Sequence, residues 1–208
     1  MAHYTGPVCR LCRRLSVKLF LKGDRCLTKC AVERRSAPPG QQYARRRKVS
    51  EWGTQLREKQ KARYIYGVME RQFRKTFAEA ERRHGVTGET LYQLLERRLD
   101  NVVYRLGLTA SRSQARQLVR HGHITVNGRK ADIPSLLVKQ GDIIAFHESS
   151  TKKAFFQAIS EKVEGASVPS WLSLDRENLK GTVLSLPRRG DSEIFFDEKL
   201  VVEFYSRR

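Results

Sequence analysis

The four cysteines of this 208-residue chain all lie within its first 30 residues, as the pairs Cys9-x2-Cys12 and Cys26-x3-Cys30. Two close pairs joined by a short loop are typical of a structural zinc site, because each pair supplies two thiolates to one tetrahedral Zn2+ ion. Four protein ligands leave no open position for a substrate, so the ion would stabilise the surrounding arm and take no part in catalysis. Two disulfides and an iron–sulfur cluster are the alternatives, and a chain that is not secreted would normally keep its thiols reduced.

Positive charge is the strongest compositional feature of the chain. It has 41 Lys and Arg against 22 Asp and Glu, a formal net charge of +19 and a pI near 10.3. Self-repulsion on this scale favours a polyanionic partner. A membrane is disfavoured, because no apolar run approaches the roughly 18 residues of a spanning helix and the N-terminus lacks the apolar core of a signal peptide. Nucleic acid is therefore the expected partner, and residues 132–208, with 11 basic and 12 acidic residues, are expected to be structural support.

Arginines recur every fourth residue at Arg112, Arg116 and Arg120, and this spacing places them on one side of a helix, as an arginine stripe. Ser111, with Gln114 three positions later, predicts the start of that helix. A merely solvated face normally mixes both signs of charge, and no acid lies at the flanking helical positions, so that interpretation is weaker. Guanidinium groups bind phosphates with paired hydrogen bonds, so the arginine stripe is expected to contact a nucleic-acid backbone.

A tight hairpin is predicted directly after this helix. Asn127 and Gly128 are the strongest short hairpin signal, because a type I′ turn needs two residues with positive φ. His121 and His123 flank a glycine at the end of the helix, where two histidines without a nearby third ligand rarely bind metal. They are expected to contact RNA or to cap the helix.

Apolar periodicity predicts helices around a small, strongly bent sheet. Helices are expected at 50–66, 70–84, 87–106, 111–121 and 151–164. Short strands are expected at 123–126 and 129–133, at 136–138 paired with 143–146, and after Ser170 and Gly181. The segment 200–205 fits either a strand or a final helical turn, and this C-terminal tail is expected to pack on the helices between 50 and 85.

Several segments together resemble the bacterial-type family of small-subunit ribosomal protein S-four, in its zinc-binding four-cysteine form. The resemblance is carried by residues 6–14, 56–61, 66–67, 70–73, 98–105, 115–128 and 204–207. It implies a primary binder of 16S rRNA that nucleates assembly at a multi-helix junction of the 5′ domain, near the site where mRNA enters and beside the fifth small-subunit protein. Some family members also repress translation of their own operon. Zinc-bearing members use these four cysteines, with a second pair one residue longer than the pair here.

Folded RNA is expected to be recognised by shape, because the major groove of an RNA duplex is too deep and narrow to be read. The cysteine arm and the basic run at 45–48 would extend the grip of the arginine stripe to a second RNA helix. The residues expected to bind RNA are Arg10, Arg13, Arg14, Arg45, Arg46, Arg47, Lys48, Arg57, Lys59, Lys61, Arg63, Arg98, Arg105, Ser111, Arg112, Arg116, Arg120, His121, His123, Asn127, Arg129 and Lys130.

The expected fold is α+β with three parts. A zinc-pinned basic N-terminal arm and linker takes 1–49, a helical domain takes 50–96 plus 161–208, and a helix-helix-bent β-sheet RNA-binding domain is inserted at 97–160. A cytoplasmic, ribosomal protein is expected and not an enzyme, because the basic region has no Gly-rich phosphate loop, nucleophile elbow or paired carboxylates. The alternatives are a non-ribosomal RNA-binding regulator, an accessory domain of an RNA-modifying enzyme, and a DNA-binding regulator with a zinc module.

Overall fold

The computed structural model describes residues 3–35, 37–41, 48–151, 153–163, 165, 167–191 and 196–207. The helices are α1 Val8–Leu15, α2 Asp24–Thr28, α3 Ala31–Arg34, α4 Glu51–Ile65, α5 Glu70–Arg82, α6 Thr87–Glu96, α7 Leu99–Arg105, α8 Arg112–Arg120, α9 Glu148–Thr151, α10 Ala154–Val163 and α11 Glu198–Ser206. The strands are β1 Ile124–Val126, β2 Arg129–Ala131, β3 Ile143–Phe146, β4 Leu172–Asp175 and β5 Lys180–Val183. The chain forms two compact units, which we name the first unit (Met1–Leu91 with Ile194–Arg208) and the second unit (Tyr92–Glu193).

Aromatic packing of α11 against α4 and α5 forms the core of the first unit. Tyr205 stacks on Phe77 with ring centroids 4.5 Å apart, and its hydroxyl donates to a carboxylate oxygen of Glu70 at 3.0 Å. Phe73 and Phe77, on the apolar stripe predicted for the helix at 70–84, are both buried. The expected packing of the C-terminal tail on these helices is therefore confirmed, and residues 200–205 are helical.

An antiparallel sheet with strand order β2-β1-β3-β5-β4 organises the second unit. The predicted hairpin is confirmed, because Val126 pairs with Arg129 around Asn127 and Gly128, whose φ angles are 51° and 76°. Side chains of α7, α8 and α10 pack with the inner face of the sheet in one continuous apolar core. The mixture of helices with an antiparallel sheet agrees with the expected α+β class.

The helix predicted at 87–106 is broken between α6 and α7. Arg98 is extended, with φ −63° and ψ 134°, and it forms an isolated bridge with Leu137. The backbone N–H of Leu99 donates to the carbonyl of Leu136 at 2.8 Å, and that of Val138 donates to Arg97 at 3.0 Å. The chain therefore exchanges helical hydrogen bonds for pairing with 136–138, a long-range gain that apolar periodicity cannot register.

The same segment corrects two further predictions. Residues 136–138 bridge to Arg98 and do not pair with 143–146, whose partners are β1 and β5. Since β5 pairs with both β3 and β4, residues 172–183 extend the sheet of the second unit and do not belong to the helical domain expected at 161–208. No helix within the described ranges is long and apolar enough to cross a membrane.

Candidate nucleic-acid interface

The helix that carries the arginine stripe is fixed at its start and along its inner side. The Ser111 hydroxyl accepts the backbone N–H of Gln114 at 3.3 Å, and the Gln114 side chain accepts the N–H of Ala110 at 3.1 Å, which confirms the predicted cap. Ala115 and Val119 are fully buried. The arginines consequently leave the helix from its other side, towards α7 and the surface.

Asp100 on α7 is the acidic partner that the sequence pattern around the arginine stripe did not reveal. Its carboxylate accepts two hydrogen bonds from Arg98, at 3.1 and 2.8 Å, and one from Arg116 at 3.0 Å. Arg98 and Asp100 are each 4% exposed. The Arg98 guanidinium is therefore buried in an internal ion pair, and its RNA contact stays a prediction.

Glu96 at the end of α6 holds a second internal pair. Its carboxylate is fully buried and accepts two hydrogen bonds from Arg105, at 3.0 and 2.8 Å, and one from the Asn101 amide at 2.8 Å. The side-chain carbonyl oxygen of Asn101 in turn accepts a hydrogen bond from Arg112 Nε at 2.7 Å. The Arg112 guanidinium lies 4.4 Å from the Tyr104 ring centroid. Arg105 and Arg112 therefore act in part as structural residues that fasten α6, α7 and α8 together.

Four exposed basic residues lie on the hairpin and at the end of α8, and we name Arg120, His121, Arg129 and Lys130 the hairpin surface. All four are exposed, and none forms an ion pair with any residue that the structure describes. The Lys130 side chain crosses Gly122, where a Cβ atom would lie 2.1 Å from Lys130 Cε. This close approach joins the hairpin to the end of α8 in a single positive surface.

Two of the predicted contact residues beside this surface are engaged in the fold. Asn127 donates to Asp142 and accepts the backbone N–H of Ile143, both at 2.9 Å, so its side chain ties the hairpin to β3. His123 lies 2.9 Å from the Ser150 hydroxyl through its Nδ1 atom. Burial, and then the positive charge of Lys153 and of three further basic residues, lower the pKa of His123 below its usual value of 6.5. Burial is the main cause of the low pKa, and the neighbouring positive charges add to it.

Internal ion pairs also occupy part of the basic face predicted on α4. Lys59 is 4% exposed and donates to Glu70 at 2.9 Å, and Arg63 donates to the same carboxylate oxygen at 3.2 Å. Lys61 is paired with Glu58, whereas Arg57 is exposed. Lys59 is therefore engaged within the fold and its RNA contact stays a prediction, whereas Arg57 is available for the contact predicted for it.

Exposed cations on α5 were missed by the sequence reasoning. Arg71, Arg74 and Lys75 are exposed and lie away from the buried Phe73 and Phe77. Their spacing of three and four residues is the same signal that identified the arginine stripe, so the pattern could have found them.

The residues of the N-terminal arm that are predicted to bind RNA fall into three groups: exposed, bonded within the fold, and outside the described residues. Arg10, Arg14 and Lys48 are exposed. Arg13 donates to the carbonyl of Ala37 through Nε at 3.0 Å and Nη2 at 2.8 Å, which holds the chain after α3 against α1. The predictions for residues 45–47 lie outside the described residues.

The four cysteines have free thiols, and Cys12 and Cys30 are buried. Burial raises the pKa of Cys12, and the charges of Cys26, Cys9 and Cys30 raise it further, so the four sulfur atoms share one neighbourhood. The donor set suits zinc, but among the described residues no group of three or more His, Cys, Asp or Glu side chains is arranged to hold a metal ion. The structure therefore contains no preformed metal site in the arm as it is described.

Comparison with known proteins defines the class of this molecule. Residues 3–96 match the family described as "Ribosomal protein S4/S9 N-terminal domain", and residues 97–144 match the "S4 domain", which is an RNA-binding domain. The second match covers the arginine stripe and the hairpin. The chain thus joins a ribosomal N-terminal domain to an RNA-binding domain.

Relatives match over the entire chain. The small ribosomal subunit protein uS4A of Symbiobacterium thermophilum is 58% identical over 210 residues, and the uS4 protein of Dehalococcoides mccartyi is 55% identical over 207 residues. Both alignments cover 100% of this chain and 100% of the relative. The chain belongs to the uS4 family of small ribosomal subunit proteins, which are structural proteins of the ribosome and not enzymes.

Proposed function

We propose that this chain is a structural constituent of the small ribosomal subunit that binds 16S rRNA at a multi-helix junction of the 5′ domain and nucleates assembly there. The observation that carries the proposal is the hairpin surface, whose cations have no acidic partner among the described residues. The full-length relatives named small ribosomal subunit protein uS4 support the ribosomal setting.

The internal ion pairs explain how such a surface could recognise the shape of folded RNA. Asp100 and Glu96 fix α7 against α8 and α6 through Arg116 and Arg105. The hairpin surface is then presented from a rigid base, and binding phosphates requires little further ordering of the protein. Arg120 and Arg129 can each hold a phosphate with two parallel hydrogen bonds.

The finer setting rests on family resemblance. We place the chain beside the fifth small-subunit protein and near the site where mRNA enters, with translational repression of its own operon as a second role. A non-ribosomal RNA-binding regulator is the remaining alternative. Reconstitution of the 30S particle separates the two, because a ribosomal constituent is retained in the particle at about one copy, whereas a separate regulator is lost on washing.

Salt-dependent binding to a 16S rRNA 5′-domain fragment tests the proposal directly. Each phosphate contact that is lost lowers the slope of log affinity against log salt by about one. The double variant Arg120→Ala/Arg129→Ala should therefore bind with a slope shallower by about one to two than the wild type. The matched control is Arg82→Ala/Arg83→Ala, because both of these cations are already paired with Glu79.

Two results would contradict the proposal. Identical salt slopes for the two double variants would remove the hairpin surface from the interface. Equal competition by duplex DNA would show only a general polycation and no preference for folded RNA.

We further infer that Cys9, Cys12, Cys26 and Cys30 together bind one structural Zn2+ ion. The donor set and the shared neighbourhood of the four thiols support this, as does the Lys22 N–H, which donates to Cys26 Sγ at 3.3 Å. Metal analysis of purified protein should find about one zinc per chain, and Cys30→Ser should lose it. The inference would be refuted if purified wild-type protein contained no zinc and its four thiols titrated freely.

A further inference from the structure

A cavity of about 510 Å³ lies in the N-terminal arm, and we name it the arm cavity. Residues of α1, α2, α3 and the segment that follows α3 line it. Its described basic lining residues are Arg10, Arg13, Arg25, Lys29, Arg34 and Arg35, and none of the described lining residues is Asp or Glu. Four of these six, at positions 25, 29, 34 and 35, lie outside the set expected from the sequence to bind RNA.

The cations of the arm cavity differ from those of α4 and α7 in their partners. Within the described residues, five of them form no ion pair, and Arg13 is bonded only to main-chain carbonyls, at Ala37 and Pro38. The nearby Glu33 is paired with Lys18 and does not line the cavity. Six like charges around a concave surface create a focused positive potential, which an anion would neutralise.

The shape of the arm cavity restricts the anion. Its volume lies within the range of small-ligand pockets, about 300–1,000 Å³. A regular RNA duplex is convex and its phosphates lie along a ridge, so it would cover such a cavity without entering it. A nucleotide that protrudes from a junction, or a free nucleotide, could place its phosphate inside. Arginine forks match the geometry of phosphate oxygens, and arginine dominates the lining.

We propose that the arm cavity binds the phosphate of a single protruding nucleotide. The inference rests on the proposed function for its source, which is an unpaired nucleotide of the bound RNA. A free nucleotide offers the same chemistry, and the experiment distinguishes the two sources.

The test titrates the full-length chain with AMP, inorganic pyrophosphate and adenosine. AMP and pyrophosphate should bind and adenosine should not, because the phosphate carries the recognition. The double variant Arg25→Gln/Arg34→Gln should bind AMP at least about tenfold more weakly, as expected for lost charge-assisted hydrogen bonds. The matched control Arg82→Gln/Arg83→Gln removes two charges of the same unit that are already paired with Glu79, and it should change AMP binding less than about twofold.

A charge-preserving variant guards against misfolding as an explanation. Arg25→Lys/Arg34→Lys keeps the charge but loses the planar forks, so its affinity for AMP should fall between wild type and the glutamine variant. Addition of the 16S rRNA fragment then assigns the source. Displacement of AMP by one equivalent of RNA identifies a nucleotide of the RNA, and simultaneous binding of both identifies a free nucleotide.

Three outcomes would overturn the inference. The first is that adenosine binds as well as AMP, and the second is that both glutamine double variants lose affinity for AMP equally. The third is that neither AMP nor pyrophosphate binds, while the two glutamine double variants bind the RNA fragment alike. In the third case wild-type protein still binds the RNA fragment, so the proposed function stands. Conversely, a chain that binds AMP but not the RNA would refute the proposed function and leave the arm cavity as a free-nucleotide site.

Discussion

Replacing Asp100 by Asn tests whether the buried ion pair of α7 is a structural requirement of the second unit. The substitution keeps the shape of the side chain and removes its charge. Arg98, which is 4% exposed, would then keep a buried positive charge without a compensating anion. Two of its hydrogen bonds, at 3.1 and 2.8 Å, and the bond from Arg116 at 3.0 Å would lose their charged acceptor.

The magnitude follows from burial. Removing one member of a buried ion pair costs about 3–5 kcal/mol, since the remaining charge is left desolvated. The amide carbonyl of Asn can still accept one hydrogen bond, so about 3 kcal/mol is the expected loss. Such a loss is a large fraction of the roughly 5–15 kcal/mol that stabilises a typical domain.

Urea unfolding followed by circular dichroism measures the loss as a lower midpoint with an unchanged slope. The control is Asp175→Asn, because Asp175 is exposed and accepts three local hydrogen bonds, from the N–H of Glu177 and from both nitrogens of Asn178. The control should shift the midpoint far less. Equal midpoints for the two variants would refute the argument that the buried guanidinium depends on Asp100.

Three further substitutions have defined signs. Gly181→Ala would place a Cβ atom 2.3 Å from Leu106 Cδ1, and because Leu106 is fully buried, thermal unfolding should show a loss of about 1–3 kcal/mol. Burial raises the pKa of Glu70, but the hydrogen bonds and charges of Lys59 and its other partners lower it by more, so the pKa lies below its usual value of 4.5. The ionised carboxylate of Glu70 therefore stabilises the folded state above pH 4.5. Glu70→Gln should therefore lower the urea midpoint at pH 7. The midpoint of the variant should also change less than that of the wild type as pH falls through the lowered pKa of Glu70. His123 has a lowered pKa in the folded state, so protonation favours the unfolded state and the free energy of unfolding falls as pH drops below 6.5. His123→Gln should remove this decrease, as measured by urea unfolding at a series of pH values.

The elements that the sequence predicted well depend on local signals. Ser111 with Gln114 identified the start of α8, and Asn127 with Gly128 identified the hairpin, because each signal is a bond or a backbone angle within four residues. Periodic aromatics at 73 and 77 placed α5 and its buried side for the same reason. These features do not require knowledge of distant residues.

The elements that the sequence missed depend on distant partners. The break at Arg98 is fixed by 136–138, about 40 residues later in the chain, and β5 joins the sheet by pairing with β3, again about 40 residues away. The search for acids at i±4 could not find Asp100, because it lies on another helix, sixteen residues before Arg116. The helix and the hairpin of the candidate site were consequently predicted from the sequence, whereas the internal acidic partners of Arg98, Arg105 and Arg116 were not.

The internal pairs also change what the net charge means for binding. Each of these acids neutralises one positive charge, although Asp100 is shared by Arg98 and Arg116 and Glu70 by Lys59 and Arg63. The net charge of +19 is unaffected by this pairing. Burying the acids makes the remaining surface more uniformly positive than the composition indicates, so the free protein carries a repulsion that a bound polyanion relieves. Because Arg98 and Lys59 are engaged in internal ion pairs, the electrostatic case for RNA binding rests on the hairpin surface and the arm cavity.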